Sequence, residues 1–454
     1  MRVLVAGGGI TGLAAAHALV TAGADVTIAE RSRSLGGKIA TERVDGLVIE
    51  HGPDSFLTLR PAALDLCAEL GLADEVVPPL TPDTVFVWHG DRLVPVPPGT
   101  GFGLPTRFLP FLASPLFSPI EKLRAAMEIA VAVRPAAADV SIGGFLRHRF
   151  GDAVVDRLAG PLISAVYGAA VDELSLDALM PRLRDAERRH GSLVRAGLAA
   201  RRAARAPAAP ALATLRRGMA SLVEALVPRL GRTQVMLGAE VLGIDRAGTR
   251  YAARFADGAR IEVDAIVLAT PAPAAARALG DLAPAAAEAL ATITYRSTVA
   301  VTLAYDGRQM PRPLAGHGFV VPDGALPIAA CTWSSAKWPD RVLDGVALLR
   351  VTIRSDALLA RGDDDLVGVA RGALARTIGV RGAPIVSRVT RWPGAMPRYT
   401  VGHLERVARI AAALLPFPGL MVAGAAYRGS GVPDCIAQGQ DAAERILEME
   451  RLAA

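Results

Sequence analysis

The chain is short of the residues that staple or cage a site. Of 454 residues only three are cysteine, Cys67, Cys331 and Cys435, far apart in the sequence. That leaves no zinc knuckle, iron–sulfur run or disulfide framework, and no metal site is expected. The same scarcity suits a reducing, cytoplasmic setting. Aromatics are few, with 11 Phe, 6 Tyr and 4 Trp, which argues against an aromatic cage. Met1 and Arg2 lead straight into an apolar strand, without the succession of a signal peptide. The longest apolar run, residues 410–427, is broken by Pro416, Pro418 and Gly419 and is not read as a membrane span. What remains is 52% apolar and 21% charged residues, a chain that buries a large core in about two or three domains.

Acidic residues are missing from one stretch. Residues 188–223 hold no Asp or Glu but carry Arg188, Arg189, Arg195, Arg201, Arg202, Arg205, Arg216 and Arg217. These exceed the formal excess of +6 for the whole chain, so the remainder is slightly acidic. Within the stretch, residues 203–213 are Ala/Pro-rich and read as a loop between helices. The run is either a solvated helix face or a collar for an anionic substrate or membrane surface. Without interleaved aromatics it is not a nucleic-acid surface.

Residues 2–6 read as a buried parallel strand, residues 11–21 as a helix and residues 25–29 as a second strand. This βαβ opening predicts a doubly wound α/β sheet. Strand signals recur at 234–245, 251–255, 260–270, 297–305, 319–333 and 346–353. Residues 121–230 read as mostly helical. The chain closes with a strand at 420–423 and a helix at 434–452. The charge-free stretch 108–120, with three Phe and three Pro, is expected in the core, the alternative being an apolar lip at a pocket mouth.

Between the first strand and helix, Gly7, Gly9 and Gly12 form G-x-G-x-x-G. The first allows a tight turn, the second admits a pyrophosphate, and the third brings helix and strand close. The helix start, with Gly8, Ile10 and Thr11, offers free N–H groups to phosphates. Glu30, 18 residues beyond Gly12, ends the next strand, where a carboxylate can accept hydrogen bonds from ribose hydroxyls. These features predict dinucleotide binding. Gly36 and Gly37 follow closely, a pair outside the simple nicotinamide pattern. Near the other end, Pro433 and Asp434 stand where a last helix begins, either an ordinary capped helix or one whose positive pole is available to a cofactor.

The fingerprint, residues 36–56, the VLATP segment at 267–271 and the segment 422–439 resemble the flavin-binding pattern of the amine-oxidase-like superfamily. Five segments besides the fingerprint, residues 36–56, 230–241, 330–339, 390–403 and 427–439, are similar to motifs of the oxygen-dependent porphyrinogen oxidases of haem biosynthesis. These enzymes oxidise protoporphyrinogen IX or coproporphyrinogen III. Residues 101–118 look like the Gram-positive branch, which tends to use coproporphyrinogen III. The resemblance implies a Rossmann-like, amine-oxidase-like FAD-binding domain, an α+β substrate domain and a mostly helical insertion. The expected boundaries are 1–80, 231–280 and 416–454 for the FAD-binding domain, 81–230 for part of the substrate domain and the insertion, and 281–415 for the substrate-domain sheet.

Carried over residue by residue, the resemblance places FAD against residues 7–12, with Glu30 and Arg31 at the adenosine ribose and Lys38 nearby. Gly52, Pro53, Asp54 and Ser55 run along the pyrophosphate and flavin, the Val241 backbone meets the adenine, Trp392 stands at the flavin side, and Val432, Pro433 and Asp434 at the ring. Ala165 occupies the position of a family glycine whose carbonyl lies close to the substrate. An arginine that holds a propionate in a family member is replaced by Val85, and Arg354 or the 188–217 arginines are candidate substitutes. The partners implied are a porphyrinogen and O2, with H2O2 released and no catalytic acid or base required. A peripheral membrane contact and either a monomer or a homodimer are compatible with it. Two rivals share the motifs: an FAD-dependent amine or polyamine oxidase, and a non-catalytic binding protein of the GDP-dissociation-inhibitor kind.

Overall fold

The computed structural model describes every residue except 82–83, 102–103, 106–107, 134–137, 204–209, 355 and 454. The chain forms two compact units. The first contains Met1–Pro78, Pro210–Thr294 and Leu404–Ala454, and the second Pro79–Ala209 and Tyr295–His403.

The first unit is built on five parallel strands in the order Gln234–Leu237, Asp25–Glu30, Arg2–Ala6, Ala265–Leu268 and Leu420–Val422. Val3, Leu4 and Val5 are fully buried, as a parallel sheet covered on both faces requires. Helix Ile10–Thr21 is apolar nearly all round and buried accordingly. It packs against the last helix, Val432–Ala453, at Gly439, where a Cβ would fall 2.2 Å from the Thr11 carbonyl oxygen. Strands Val241–Ala247, Arg250–Phe255 and Arg260–Val263 add an antiparallel sheet.

Strand Leu212–Leu215 pairs with Phe56–Leu57 and Val76–Val77, and its Ala213 and Leu215 enter this unit's core. Residues 210–230, read from the sequence as part of the insertion, therefore fold here. Residues 281–294 and 404–415 join the same unit. The expected loop at 203–213 ends in that strand, and residues 204–209 of it lie outside the described residues.

The second unit carries a seven-stranded sheet in the order Val386–Pro397, Tyr295–Asp306, Val346–Ile353, Ala330–Trp333, Gly318–Val320, Val85–His89 and Arg92–Pro95. Leu349, Val351 and Ile353 alternate along their strand and meet helix Asp363–Ile378 through Leu366, Ala370, Ala373 and Leu374. Val87, Val94 and Val320 pack against the helical segments around Phe111, Phe150 and Leu158. Strand Val386–Pro397 was not legible in the sequence, because its burial is only partial and its apolar alternation weak. The stretch 108–120 splits. Phe111, Leu116 and Phe117 are buried, whereas Leu109 and Ile120 are 81% and 75% exposed.

Charge is also buried inside the helical part. The Arg149 guanidinium, fully buried, donates to Glu187 at 2.7 Å and to the Val131 and Gly191 carbonyls. Glu128 accepts from the N–H groups of Leu193 and Val194. Every member has a partner, which is the condition for keeping ions out of water.

Candidate active site

The fingerprint turn separates its three glycines by task. Gly7 lies at φ 108°, and a Cβ there would meet the Ala269 carbonyl at 2.8 Å. At Gly12 a Cβ would fall 1.9 Å from the Gly7 oxygen. Both glycines are demanded by packing. Gly9 is different: φ −75° and ψ 177° suit any residue, and a Cβ there meets nothing within 4 Å. Its bare face borders open space at the start of helix Ile10–Thr21, which has no side-chain cap and no acidic residue in its first turn. A helix end of this kind accepts an anion. The residues present fit a dinucleotide pyrophosphate.

The second glycine pair explains itself in three dimensions. The Gly36 N–H donates to the Gly8 carbonyl at 2.8 Å, and a Cβ on Gly37 would stand 3.1 Å from the Gly9 Cα. The loop therefore passes directly over the turn. Gly52 meets the same loop, since its Cβ would lie 1.6 Å from the Lys38 carbonyl oxygen. Pro53 follows it. Asp54 accepts from the Ser55 hydroxyl, and its carbonyl accepts from Thr214.

Glu30 is held in place from both sides. One oxygen accepts from the Gly8 N–H at 2.6 Å, and the other accepts from the Ser32 N–H at 2.7 Å and from the Ser32 hydroxyl. Arg31 is exposed beside it. The Ala239 N–H donates to the Glu30 carbonyl, which brings the buried Val241 segment to the same end of the sheet. Lys38 is exposed on its surface, burial lowers its pKa from the usual value, and the neighbouring Cys435 opposes that shift.

The last helix starts at Val432, with Pro433 and Asp434 in its first turn, as the sequence predicts. Asp434 accepts from the Gly431 N–H at 3.3 Å and pairs with Arg60, a residue the sequence did not single out. Burial raises the Asp434 pKa, and Arg60 opposes the rise. Burial likewise pushes the neighbouring Cys435 thiol up to about 11. All the expected residues but three thus gather in the first unit.

Trp392, Ala165 and Arg354 belong to the second. Trp392 pairs with Thr298 across the sheet, and Arg354 follows Ile353, which pairs with Val299. Ala165 lies on helix Gly160–Tyr167, whose C-cap Gly168 sits 3.1 Å, measured from its built Cβ, from the Met396 sulfur. Met396 pairs in turn with Arg296. The structure therefore brings the three together near one end of the large sheet, with Arg296 added. Nothing in the sequence around Arg296 marked it.

The arginines between 188 and 217 divide between the two units. Arg188 to Arg202 belong to helices of the second unit, Arg216 and Arg217 belong to the first, and Arg205 lies outside the described residues. A cavity of about 580 Å³ in the second unit is lined by Arg147, Asp156, Ser164, Asp172 and Asp323 but by none of the expected site residues. Its Arg147 is already held by Asp152, Asp156 and Asp172. Among the described residues no cluster of His, Cys, Asp and Glu could hold a metal, and no helix is long and apolar enough to cross a membrane.

Residues 10–447 match the family of flavin containing amine oxidoreductases. The chain belongs to that family. Among flavin containing amine oxidoreductases, it is 39% identical to coproporphyrinogen III oxidase of Propionibacterium freudenreichii, over 98% of this chain and 91% of the relative. The Bacillus subtilis coproporphyrinogen III oxidase is 34% identical over 98% of both chains, and the Bos taurus protoporphyrinogen oxidase 32% identical over 99% and 98%. A crystal structure from Exiguobacterium sp. 255-15 superposes with a TM-score of 0.89 at 32% identity, covering 99% of both chains. Putrescine oxidase, at 17% identity and a TM-score of 0.72, shares the fold alone.

Proposed function

We propose that the chain oxidises a porphyrinogen of haem biosynthesis, coproporphyrinogen III before protoporphyrinogen IX, with FAD as cofactor and O2 as terminal oxidant. The reading is carried by one observation. Identity to two coproporphyrinogen III oxidases runs over 98% of this chain, at 39% and 34%. Bound FAD supplies a two-electron acceptor that O2 restores with release of H2O2, so three rounds remove the six electrons and six protons that separate porphyrinogen from porphyrin.

The residues of the chain hold and orient. Gly9 leaves room for the pyrophosphate, and the N–H groups of Ile10, Thr11 and Gly12 receive its charge. Glu30, fixed by Gly8 and Ser32, accepts from the ribose, with Val241 at the adenine and residues 52–55 along the cofactor. The first turn of Val432–Ala453 turns its positive pole toward the ring. No side chain is assigned as acid or base, because the conjugation of the product drives hydride loss and the protein's contribution is position.

We extend this reading to a contact with an anionic membrane surface. Ile120, Leu123 and Met127 share one face of the segment at 119–127 and are 75%, 63% and 55% exposed. Glu128 ties that segment to the start of helix Leu193–Ala203, which carries the exposed Arg195, Arg201 and Arg202. Exposed apolar side chains, with arginines on a helix tied to the same segment, suit a lipid headgroup layer.

The deciding experiment supplies each porphyrinogen to the purified protein in air and under argon and follows porphyrin fluorescence and H2O2. Three H2O2 per porphyrin in air, with no turnover under argon, is the expected result. An amine-dependent H2O2 signal with both porphyrinogens inert would overturn the reading.

A further inference from the structure

Two arginines lie near each other at the end of the large sheet, and among the described residues only Asp323 pairs with one of them. Arg354 continues the row that Thr298 and Trp392 form across adjacent strands, one residue beyond the Val299–Ile353 pair. Its side chain is only 9% exposed, and among the described residues its one ion pair is a long contact of 3.8 Å to Asp323, itself 80% exposed. Arg296, two residues before Thr298 on the neighbouring strand, has no side-chain hydrogen bond or ion pair among the described residues. Burial lowers the Arg354 pKa, Asp323 opposes this, and the Arg296 charge adds to it. A guanidinium taken out of water needs a counter-charge, and a second guanidinium beside it raises that need. The helix bearing Ala165 closes on the same place through Gly168 and Met396.

We propose that Arg296 and Arg354 together receive a carboxylate of the substrate, and so select an acidic macrocycle over a neutral one. The inference rests on the porphyrinogen reading above. Arginine suits the task, since its planar fork matches a carboxylate with two parallel hydrogen bonds and keeps its charge even when buried. At 3.8 Å the Asp323 contact is too long for a hydrogen bond to the Arg354 fork.

The test uses the flavin-loaded protein and four forms: wild type, Arg296→Met, Arg354→Met and Arg354→Lys. Each is titrated with coproporphyrin III, which carries four carboxylates, and with its uncharged tetramethyl ester. Loss of charge-assisted hydrogen bonds should weaken binding of the acid about tenfold or more in either Met variant while the ester is unaffected. Arg354→Lys should recover part of the loss. With coproporphyrinogen III the variants should show a raised KM and a kcat within about twofold of wild type, as expected when uniform binding is removed. Unchanged affinity for the acid in both Met variants would overturn the proposal, as would equal losses for acid and ester, which signal packing. If Arg354→Met does not fold, judged by flavin retention and Tm, the half-buried Arg296→Met decides. The titration needs no turnover, so a wild-type protein inert to both porphyrinogens would end the functional reading and still leave this one decided.

Discussion

Arg60 and Asp434 stand 374 positions apart in the chain and form a salt bridge at the first turn of the last helix. The contact ties the segment before helix Ala62–Glu69 to the start of the last helix. Asp434 is mostly buried, with 11% of its side chain exposed, and Arg60 supplies its counter-charge.

Removing Arg60 should therefore make stability more sensitive to pH. The Asp434 pKa is raised in the folded state by burial, and Arg60 limits the rise. A carboxyl with a raised pKa binds its proton more tightly when folded, so stability is lost as the pH rises from the ordinary Asp value of about 3.9 through the folded value. Arg60→Met should widen that loss, by no more than about 1 kcal/mol because Arg60 is half exposed. Thermal unfolding of both proteins between acid and neutral pH checks this. A difference that shrinks toward neutrality would contradict it.

The fingerprint glycines should fail in different ways. Gly9→Ser adds a good N-cap where the backbone accepts it, so the apoprotein should keep its Tm or gain slightly. It should load no flavin, because the side chain fills the space the pyrophosphate needs. Gly12→Ala puts a methyl 1.9 Å from the Gly7 oxygen and should compromise folding itself. Absorbance of bound flavin together with Tm separates the two outcomes.

The thiols should be silent in the folded protein. Cys67, Cys331 and Cys435 are buried, and burial pushes Cys67 and Cys435 up to about 11 and Cys331 higher still. Deprotonated thiol is scarce below those values, so maleimide at neutral pH should label none of the three until denaturant is added. Mass spectrometry counts the labels. Rapid labelling of Cys435 in the native protein would show that the start of the last helix opens.

Vesicle binding should depend on the exposed apolar face. Co-sedimentation with phosphatidylglycerol vesicles at low salt should exceed that with phosphatidylcholine vesicles, and should fall as salt screens the arginines. Leu123→Asp, at a 63% exposed position, should reduce it several-fold with Tm unchanged. Equal recovery from both vesicle types would remove the membrane contact.

Local rules carried the first unit far. The strand at 2–6, the glycine turn and Glu30 are close in sequence, and their geometry follows from chain stereochemistry within about 30 residues. The last helix announced itself through Pro433 and Asp434 in the same way. Covalent proximity ends there. That Gly37 lies over Gly9, that Arg60 finds Asp434, and that strand Leu212–Leu215 returns to pair Phe56–Leu57 are long-range choices settled by which apolar surfaces can be buried together. The sequence alone determined the dinucleotide motif and the family it resembles, because spacing and residue type suffice for both. Only the tertiary structure decided which glycine faces open space and which arginines share a buried place, because neither property belongs to a residue until its neighbours are fixed.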